Sequence, residues 1–234
     1  MKPDLAGPLI GTVIVTFNAA DVIGECLDSL VGQEGAAPWV VVVDNASTDG
    51  TVAALRQWAT ARACTLAEAD TAEGAAAHAG RAPVVLLHSG VNRGFAGGVN
   101  LGLRVLAAVP WIAHFWVLNP DAFADAGAGA AILAAARATP GYGIIGGRVC
   151  YADPPQRIQI DGGTVNRWTG VTGNINLGAE AAGAALPQAT AVDFVTGANL
   201  VVSRRFYDSV GPMREDYFLY YEEADWALRR GSPR

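Results

Sequence analysis

Apolar and polar positions in the first half of the chain follow a repeated order of strand and helix. Continuous apolar runs rich in β-branched residues are typical of strands that are buried on both faces of a sheet. Four such runs cover residues 9–17, 39–43, 84–87 and 115–118. A segment with apolar residues at helical spacing follows each run, so the pattern predicts an α/β fold with a parallel sheet and right-handed crossovers.

The helices between these strands are predicted from apolar spacing and from end signals. The first carries Ile23, Cys26, Leu27 and Leu30, with Asp21 as the expected N-cap, and the second carries Val52, Leu55 and Trp58 or Ala59. The third covers residues 95–106, and the alanine-rich fourth covers 126–138 and ends before Pro140. Residues 67–81, with few large apolar side chains, are predicted to form a mobile surface loop.

Beyond Ile144 the alternation of strand and helix stops. Short apolar pieces at residues 157–160, 164–168 and 192–195 are separated by glycine, asparagine and proline, which predicts a smaller, partly antiparallel region. We therefore expect two halves, residues 9–125 for ligand binding by the parallel sheet and residues 126–234 for a second substrate.

Composition and charge narrow the classes of function. The chain has 234 residues, of which 51% are hydrophobic, so it can bury a sizeable core. Its net charge of -6 argues against nucleic acid as a partner. Cys26, Cys64 and Cys150 are too scattered for a disulfide framework, and no apolar run reaches the roughly 20 residues of a membrane span. These features, with no recognisable signal peptide, lead us to expect a cytoplasmic protein.

Polar residues with ligand-binding capacity follow each predicted strand. They are Thr16 and Asn18, Asp44 and Asn45, Asn92 and Arg93, and Asn119 and Asp121. The carboxyl ends of parallel strands share one edge of a sheet, where ligands bind in open α/β folds. Turn and N-cap chemistry is the alternative for most of them. Arg93 is not a turn former, and its guanidinium beside Gly94 suits a diphosphate.

Asp121 follows the strand of residues 115–118, after Asn119 and Pro120. A carboxylate in this position can hold a divalent cation against a phosphorylated ligand. The alternative is that Asp121 caps the helix that begins near Asp125.

Four segments together resemble the motifs of family 2 glycosyltransferases. They are Val13-Ile14-Val15-Thr16-Phe17-Asn18, Val43-Asp44-Asn45-Ala46-Ser47-Thr48-Asp49-Gly50-Thr51, Asn92-Arg93-Gly94-Phe95-Ala96-Gly97-Gly98-Val99-Asn100 and Leu118-Asn119-Pro120-Asp121. The resemblance is strongest to the rhamnosyltransferase-like branch. It implies the GT-A fold, a Rossmann-like and mostly parallel sheet flanked by helices with a smaller mixed region on the acceptor side.

The resemblance also implies an activity and its partners. Such enzymes pass a sugar from a nucleotide diphosphate donor to a hydroxyl with inversion, and we expect Mg²⁺ or Mn²⁺ as cofactor. A saccharide or lipid-linked acceptor would be used in cell-surface polysaccharide or glycolipid synthesis, with dTDP-rhamnose as the expected donor and peripheral contact with the inner face of the membrane. Because family members usually continue beyond the acidic segment, we also expect this chain to be incomplete at its C-terminus.

By the same resemblance, Thr16, Asn18 and Asp44 surround the nucleotide base and ribose, Arg93 and Gly94 lie near the nucleotide, and Asp121 binds the metal. Asn119 stands where the commoner pattern has an aspartate, so one anionic contact is lost.

An acidic cluster, Tyr220-Tyr221-Glu222-Glu223-Ala224-Asp225-Trp226, resembles the segment that carries the family's general base. Glu223 aligns with that base and Glu222 is the second choice. Gly197 and Ala198, with Asp225 and Trp226, are expected on the acceptor side. The alternative is that the carboxylates simply favour a helix N-terminus and that the aromatic residues belong to the core.

Two other functions remain open at this stage. A dehydrogenase is disfavoured because no Gly-x-Gly-x-x-Gly follows the strand of residues 9–17. A catalytically silent module that binds a sugar nucleotide would have the same donor motifs, and donor binding without turnover would distinguish it.

Overall fold

The structure is a computed structural model of the chain, and it describes residues 9–229. Seven strands form one sheet in the order β3-β4-β2-β1-β5-β11-β6. These strands are β1 (Leu9–Thr16), β2 (Trp39–Asp44), β3 (Leu66–Ala69), β4 (Val84–His88), β5 (Ile112–Leu118), β6 (Ile144–Gly146) and β11 (Asn199–Ser203). The first five are parallel, whereas β11 runs antiparallel to both β5 and β6. The predicted α/β class is therefore confirmed.

Helices cover both faces of this sheet. They are α1 (Ile23–Val31), α2 (Thr51–Ala61), α3 (Ala72–Ala76), α4 (Gly94–Ala107), α5 (Ala128–Ala138), α6 (Arg204–Val210) and α7 (Glu222–Leu228). Because side chains alternate along a strand, Val41 and Val43 pack on the side of α3, α4, α6 and α7, while Val40 and Val42 pack on the side of α1, α2 and α5. No helix within residues 9–229 is long and apolar enough to cross a membrane.

The segment between β6 and β11 along the chain forms two small antiparallel strand pairs. They are β7 (Val149–Cys150) with β8 (Ile158–Ile160), and β9 (Gly163–Val165) with β10 (Thr172–Asn174). A short 3₁₀ helix (Ala189–Ala191) lies before the chain returns to β11. The predicted smaller region is present, but β6 and β11 on either side of it complete the large sheet.

Three local predictions are wrong. Residues 67–81 are not a loop, because β3 pairs with β4, Ala75 is fully buried, and the Thr71 hydroxyl caps α3 at the Gly74 amide. Residues 192–195 form no strand and make one isolated bridge, between Phe194 and Gly163. The N-cap position of α1 is Val22, so Asp21 does not cap that helix.

Candidate active site

The carboxyl ends of the parallel strands meet at one edge, as predicted. Thr16 of β1 lies opposite Asp44 of β2, and Asp44 lies opposite His88 of β4. Leu118 at the end of β5 lies beside Ile14 of β1, so Asn119 and Asp121 follow at the same edge. The polar residues of the four motifs thus share one side of the molecule.

Asn45 is a structural residue at this edge. Its side-chain amide donates to Asn92 Oδ1 at 3.0 Å and to the carbonyl of Gly94 at 3.0 Å, and its oxygen accepts from the backbone N–H of Arg93 at 3.0 Å. The residue is only 2% exposed. Since these bonds occupy both amide hydrogens, the expected direct contact with a nucleotide is not supported, and Asn45 instead fixes the loop that carries Arg93.

Asn18 holds the loop after β2 in a similar way. It adopts a left-handed φ of 56°, and its side-chain oxygen accepts from the backbone N–H groups of Thr48 at 2.8 Å and Asp49 at 3.2 Å. Asp49 in turn accepts from the backbone N–H of Thr51 at 2.8 Å, where α2 begins. Asn18 remains exposed at the edge, so its amide N–H₂ group is available to a ligand.

Thr16 and Asp44 form the floor between these loops. Both are buried, and the hydroxyl of Thr16 lies 3.4 Å from the carbonyl of Val43 and 3.5 Å from Asp44 Oδ1. The backbone N–H of Ser47 also donates to Asp44 Oδ1, at 3.4 Å. Within residues 9–229, no hydrogen bond to Asp44 Oδ2 is formed, which leaves this oxygen for an N–H donor of a ligand.

Arg93 is exposed, and its guanidinium forms no hydrogen bond or ion pair within the described part of the chain. Gly94 beside it has a left-handed φ of 69°, and a Cβ there would collide with the carbonyl oxygen of Phe218. That carbonyl accepts from the N–H of Phe95 at 3.0 Å. Glycine is thus required at position 94 by the approach of the segment before α7, in addition to any contact with a ligand.

A cavity of about 1520 Å³ opens beside the end of β5. Asn119, Asp121, Ala198 and Glu223 are among its lining residues. Asp121 is exposed, and α5 begins only at Ala128, so Asp121 does not cap that helix. The backbone of Asn119 is fixed by its N–H bond to the carbonyl of Ala198, at 3.3 Å. The expected metal ligand, the expected base and one expected acceptor residue therefore lie around one space.

Glu223 lies in the first turn of α7, and its Oε2 is buried without a hydrogen-bond partner in the described structure. Burial raises the pKa of this carboxyl, while the backbone N–H groups of Glu223 and Gly197 favour its charged form and limit the rise. Gly197 is itself buried, and a Cβ there would be 2.9 Å from the ring of Phe95. Glu223 therefore combines access to the cavity with one carboxylate oxygen, Oε2, that has no hydrogen-bond partner among residues 9–229.

Glu222 is more deeply buried, at 3% exposure, and does not line the cavity. Its Oε2 also lacks a partner within residues 9–229. The pKa of Glu222 is raised to about 7: burial is the main cause, its own backbone N–H works against the rise, and the neighbouring charge of Glu223 adds to it. The two adjacent carboxyl groups thus differ in their surroundings, because Glu223 lines the cavity and Glu222 does not.

Asp225 and Trp226 of the acidic segment are structural. Trp226 has no exposed surface, donates its indole N–H to the carbonyl of Gly211 at 2.8 Å and packs edge-on against Phe206. The expected acceptor contact of Trp226 is therefore wrong, because its side chain belongs to the core. Asp225 does not line the cavity, and it pairs with Arg229 one turn later at 2.8 Å.

Metal binding at Asp121 would depend on the ligands that a donor supplies. Asp121 and Asn119 offer one carboxylate and one amide oxygen, and no set of three or more His, Cys, Asp or Glu side chains in residues 9–229 is arranged to hold a metal ion. Mg²⁺ usually keeps several waters and binds to one or two carboxylates together with substrate phosphates. The residues present fit a cation shared with a diphosphate, and they do not form a complete protein cage.

Arg148 lines the cavity, and the sequence patterns do not identify it. Arg148 donates to both oxygens of Asp161 at 2.8 Å and to the carbonyls of Ala181 at 2.6 Å and Ala184 at 2.9 Å. This clamp holds the segment after β10 as a wall of the cavity. Arg148 belongs to no recognisable motif, and its role depends on contacts 13 to 36 residues away, which the sequence pattern does not reveal.

Comparisons with known proteins agree with this fold. The sequence profile described as Glycosyl transferase family 2 matches residues 12–169. No protein among the curated sequences matches. A mannosyltransferase from Pyrobaculum calidifontis, solved with GDP-Man and Mn²⁺, superposes with a TM-score of 0.59 at 20% identity over 97% of this chain and 52% of its own.

Two further solved structures are similar. S. aureus TarS 1-349 superposes with a TM-score of 0.57 at 13% identity, over 95% of this chain and 55% of its own. GalNAc-T7, with UDP, GalNAc and Mn²⁺, gives a TM-score of 0.60 at 11% identity over 97% and 41%. The chain thus spans about half the length of these proteins or less. The fold is the GT-A arrangement of an α/β sheet. By its match over residues 12–169, the chain belongs to glycosyl transferase family 2.

Proposed function

We propose that this chain transfers a sugar from a nucleotide diphosphate donor to an acceptor hydroxyl, with inversion at the anomeric carbon. One observation supports this above all: Glu223, whose buried Oε2 has no partner in the part of the chain that the structure describes, lines the same cavity as Asn119 and Asp121. A base for the acceptor and an anchor for the donor diphosphate are both needed around the reacting carbon. Family membership supports the same reaction class.

Glu223 would act on the acceptor. Its carboxylate takes the proton from the acceptor hydroxyl, and that oxygen attacks the anomeric carbon from the face opposite the diphosphate. The bond between the anomeric carbon and the diphosphate oxygen breaks, and its electron pair leaves with the diphosphate. A single displacement of this kind inverts the configuration at the anomeric carbon.

The donor would bind along the edge formed by β1, β2 and β4. Asp44 Oδ2 accepts an N–H of uracil or thymine, Asn18 contacts the ribose or base, and Arg93 contacts the diphosphate. Thr16 has no exposed surface, so the direct contact expected from the sequence is replaced by its hydrogen bond to Asp44 Oδ1, which supports that carboxylate from below. Asn119 and Asp121 would hold Mg²⁺ or Mn²⁺ together with the donor phosphates. A cation held there would supply positive charge against the negative charge of the departing diphosphate.

The donor and acceptor can be specified further as part of this proposal. The resemblance of Leu118-Asn119-Pro120-Asp121 to the rhamnosyltransferase-like branch favours rhamnose from dTDP-rhamnose. The acceptor would be a saccharide or a lipid-linked saccharide, used in the cytoplasm at the inner face of the membrane.

Thermal-shift measurements with UDP, dTDP, GDP, ADP and NAD, with and without Mn²⁺, test the donor side. We expect a uridine or thymidine diphosphate to stabilise the protein more than ADP or NAD does. At 100 times its Kd, a ligand raises the free energy of unfolding by about 2.7 kcal/mol relative to the ligand-free protein. Asp121→Ala should remove the part of this stabilisation that depends on Mn²⁺. Asp125→Ala is the matched control, since Asp125 is also an exposed aspartate on the cavity lining.

Three outcomes would contradict the proposal. Unchanged Mn²⁺-dependent binding in Asp121→Ala would remove Asp121 from the metal site. If ADP and NAD stabilised the protein as much as UDP or dTDP does, a dehydrogenase would be favoured. Donor binding without release of nucleotide diphosphate, across a broad panel of acceptors, would favour a silent binding module.

A further inference from the structure

Phe95 follows Gly94 in α4 and contacts both stretches of chain that approach Glu223. Its backbone N–H donates to the carbonyl of Phe218, at 3.0 Å, in the segment that leads into α7. Its ring lies against Gly197, where a Cβ would be 2.9 Å and 3.0 Å from two ring carbons. Phe95 thus joins the loop of the expected diphosphate contacts to the surroundings of the candidate base.

Gly197 affects the Glu223 carboxyl through its backbone. Burial raises the pKa of Glu223, and the N–H of Gly197 is one of two backbone groups that work against the rise. Such an interaction weakens steeply with distance and angle, so the position of Gly197 helps to set how readily Glu223 ionises. Gly197 does not have a left-handed φ, so the Phe95 ring, and not the backbone, excludes a side chain there.

Residues 213–221, which precede α7, include a pair in an unfavourable backbone conformation. Tyr220 and Tyr221 have left-handed φ values of 72° and 70°. This conformation is costly for residues other than glycine and persists only where the surroundings fix it. On one side of the pair, the carbonyl of Phe218 is held by the N–H described above. On the other side, the N–H of Asp225 donates to the carbonyl of Tyr221 at 2.9 Å. The direction of the first turn of α7, which carries the candidate base, therefore depends on these contacts.

Asn100, at the end of the same glycine-rich motif, holds the beginning of residues 213–221. It has no exposed surface, and its amide donates to the carbonyl of Met213 and to Glu215 Oε1, each at 2.9 Å. Its side-chain oxygen accepts from the N–H of Met213, also at 2.9 Å. Because these bonds do not involve Phe95, loss of the Phe95 ring should shift the nearby backbone without releasing the whole segment.

We propose that Phe95 is a positioning residue, whose ring fixes Gly197 and so sets the position of the Glu223 carboxylate. The effect on catalysis rests on the proposed transferase function, in which Glu223 is the base, whereas the contact between Phe95 and Gly197 does not. Phe95 does not line the cavity, so it acts on the reaction through Gly197 and residues 213–221.

Loss of the Phe95 ring should lower kcat more than it changes the donor KM. The backbone N–H of residue 95 remains, and the Asn45 side chain, not this ring, holds the loop of Arg93 and Gly94. A displacement of about 1 Å in an active site can lower the rate by about 100-fold. We therefore expect Phe95→Ala to lower kcat by about 10–100-fold, with a change in donor KM of about threefold or less. Phe95→Leu, which keeps part of the apolar contact, should lose less.

Leu101→Ala is the matched control. Phe95 and Leu101 are both half-buried on α4, and both pack against the same core cluster. The atoms nearest to a Cβ at Gly197 belong to Phe95 and not to Leu101. Leu101→Ala should therefore lower stability as well but leave kcat unchanged. Release of nucleotide diphosphate gives kcat and KM, denaturant titration checks folding, and Phe95→Leu carries the test if Phe95→Ala does not fold.

The ionisation of Glu223 gives a readout that does not depend on turnover. NMR of the carboxyl carbons of ¹³C-labelled glutamate follows this ionisation against pH, with Glu223→Gln to assign the signal. Phe95→Ala should raise the pKa of Glu223, because Gly197 is no longer held beside the carboxylate, and Leu101→Ala should leave it unchanged. The other charged groups on the first turn of α7 and on the cavity lining are the same in every variant. Within residues 9–229 they are Glu222, Asp225, Asp121, Asp125 and Arg148.

Gly197→Ala tests the contact itself. The added Cβ would be 2.9 Å from the Phe95 ring, so one of the two groups must move, and kcat should fall. In Phe95→Ala the ring is absent and the Cβ has room, so the second substitution should cause little further loss. Losses of kcat at two independent positions would multiply, whereas those at two contacting positions would not.

Equal loss of kcat in Phe95→Ala and Leu101→Ala would overturn the inference, as would losses that multiply in the double variant. A rise in donor KM at unchanged kcat would place Phe95 among the donor contacts instead and would also overturn it. If the pKa of Glu223 shifts as expected but the parent transfers no sugar, the positioning contact stands and the transferase proposal fails. If the parent transfers sugar and Phe95→Ala keeps both the kcat and the Glu223 pKa of the parent, the transferase proposal stands and the inference fails.

Discussion

The donor-side edge and the acceptor-side cavity differ in how their polar groups are satisfied. On the donor side, the Asn45 side chain and the side-chain oxygens of Asn18 and Asp49 form hydrogen bonds within the loops at the sheet edge. On the acceptor side, Glu222 and Glu223 each leave one buried carboxylate oxygen without a partner within residues 9–229. Buried polar groups in proteins are nearly always paired, so an unpaired one needs an explanation.

This difference separates two kinds of motif residue. The donor motifs build a rigid frame, which leaves a small number of groups, such as Asp44 Oδ2 and the Arg93 guanidinium, free for a ligand. The acidic segment instead carries carboxyl groups whose burial costs stability, and a catalytic role would explain why they are buried there. Substitutions should therefore affect stability mainly on the donor side and activity mainly at Glu223.

The largest expected effect is on turnover in Glu223→Gln. Removal of a general base should lower kcat by about 10²–10⁴-fold, because glutamine cannot accept the hydroxyl proton. Donor affinity and thermal stability should be retained, since the amide is isosteric and the buried charge is removed. Burial raises the pKa of Glu223, so the activity of the parent should rise with pH through that raised pKa.

Release of nucleotide diphosphate measures this prediction, and Glu222→Gln is the matched variant on the same helix. Parent-like turnover in Glu223→Gln with a large loss in Glu222→Gln would transfer the role of base to Glu222. Loss of donor binding in Glu223→Gln would show that the effect is structural.

The next largest effect is on stability in Asn45→Ala. The substitution leaves the partly buried N–H of Arg93 and the buried carbonyl of Gly94 without their partners, which should lower the free energy of unfolding by about 2–4 kcal/mol. Donor affinity should fall as well, because the loop that carries Arg93 loses its anchor. Denaturant titration and the donor thermal shift measure the two effects.

Asn174→Ala is the control for this prediction. Asn174 is exposed, and its amide makes one hydrogen bond of 3.4 Å, to the carbonyl of Gln159. It should change stability by no more than about 0.5 kcal/mol. A similar small change in Asn45→Ala would contradict the view that the donor motifs form a rigid frame.

The parts of the fold that the sequence predicts well are those with strong apolar contrast. Residues 39–43 and 84–87 are continuous apolar runs, and both are strands in the sheet. In β3 and α3 the side chains are mostly alanine, so their burial gives little periodic signal, although tertiary pairing with β4 fixes them. Strand β11 is a short apolar run within a glycine- and asparagine-rich region, and its place beside β5 depends on contacts far along the chain.

The site was predictable in outline but not in the role of each side chain. The motifs and the parallel sheet together place Asp44, Asn119 and Asp121 at one edge. The same reasoning could not tell that the Asn45 side chain anchors the loop of Arg93 or that Trp226 faces the core, because both depend on side-chain direction.

The smallest expected effect is a pH-dependent change of stability in Glu222→Gln. The pKa of Glu222 is about 7 in the folded protein, against 4.5 for an unperturbed glutamate. Between these pH values the folded state holds a proton that the unfolded state has released. The free energy of unfolding of the parent should therefore fall as the pH rises from about 4.5 to about 7, by about 1–3 kcal/mol from this group.

Glutamine cannot ionise, so Glu222→Gln should lack this contribution and should gain stability relative to the parent as the pH rises through the same window. Urea titrations at pH 4.5, 5.5, 6.5 and 7.5 measure the difference between the two proteins. Glu223→Gln provides the comparison, because removing its charge should lower the pKa of Glu222 and so reduce the fall. A difference between Glu222→Gln and the parent that stays constant with pH would mean that Glu222 ionises as readily in the folded protein as in the unfolded chain. The contrast between the hydrogen-bonded donor edge and an acidic segment with unpaired carboxylate oxygens would then depend on Glu223 alone.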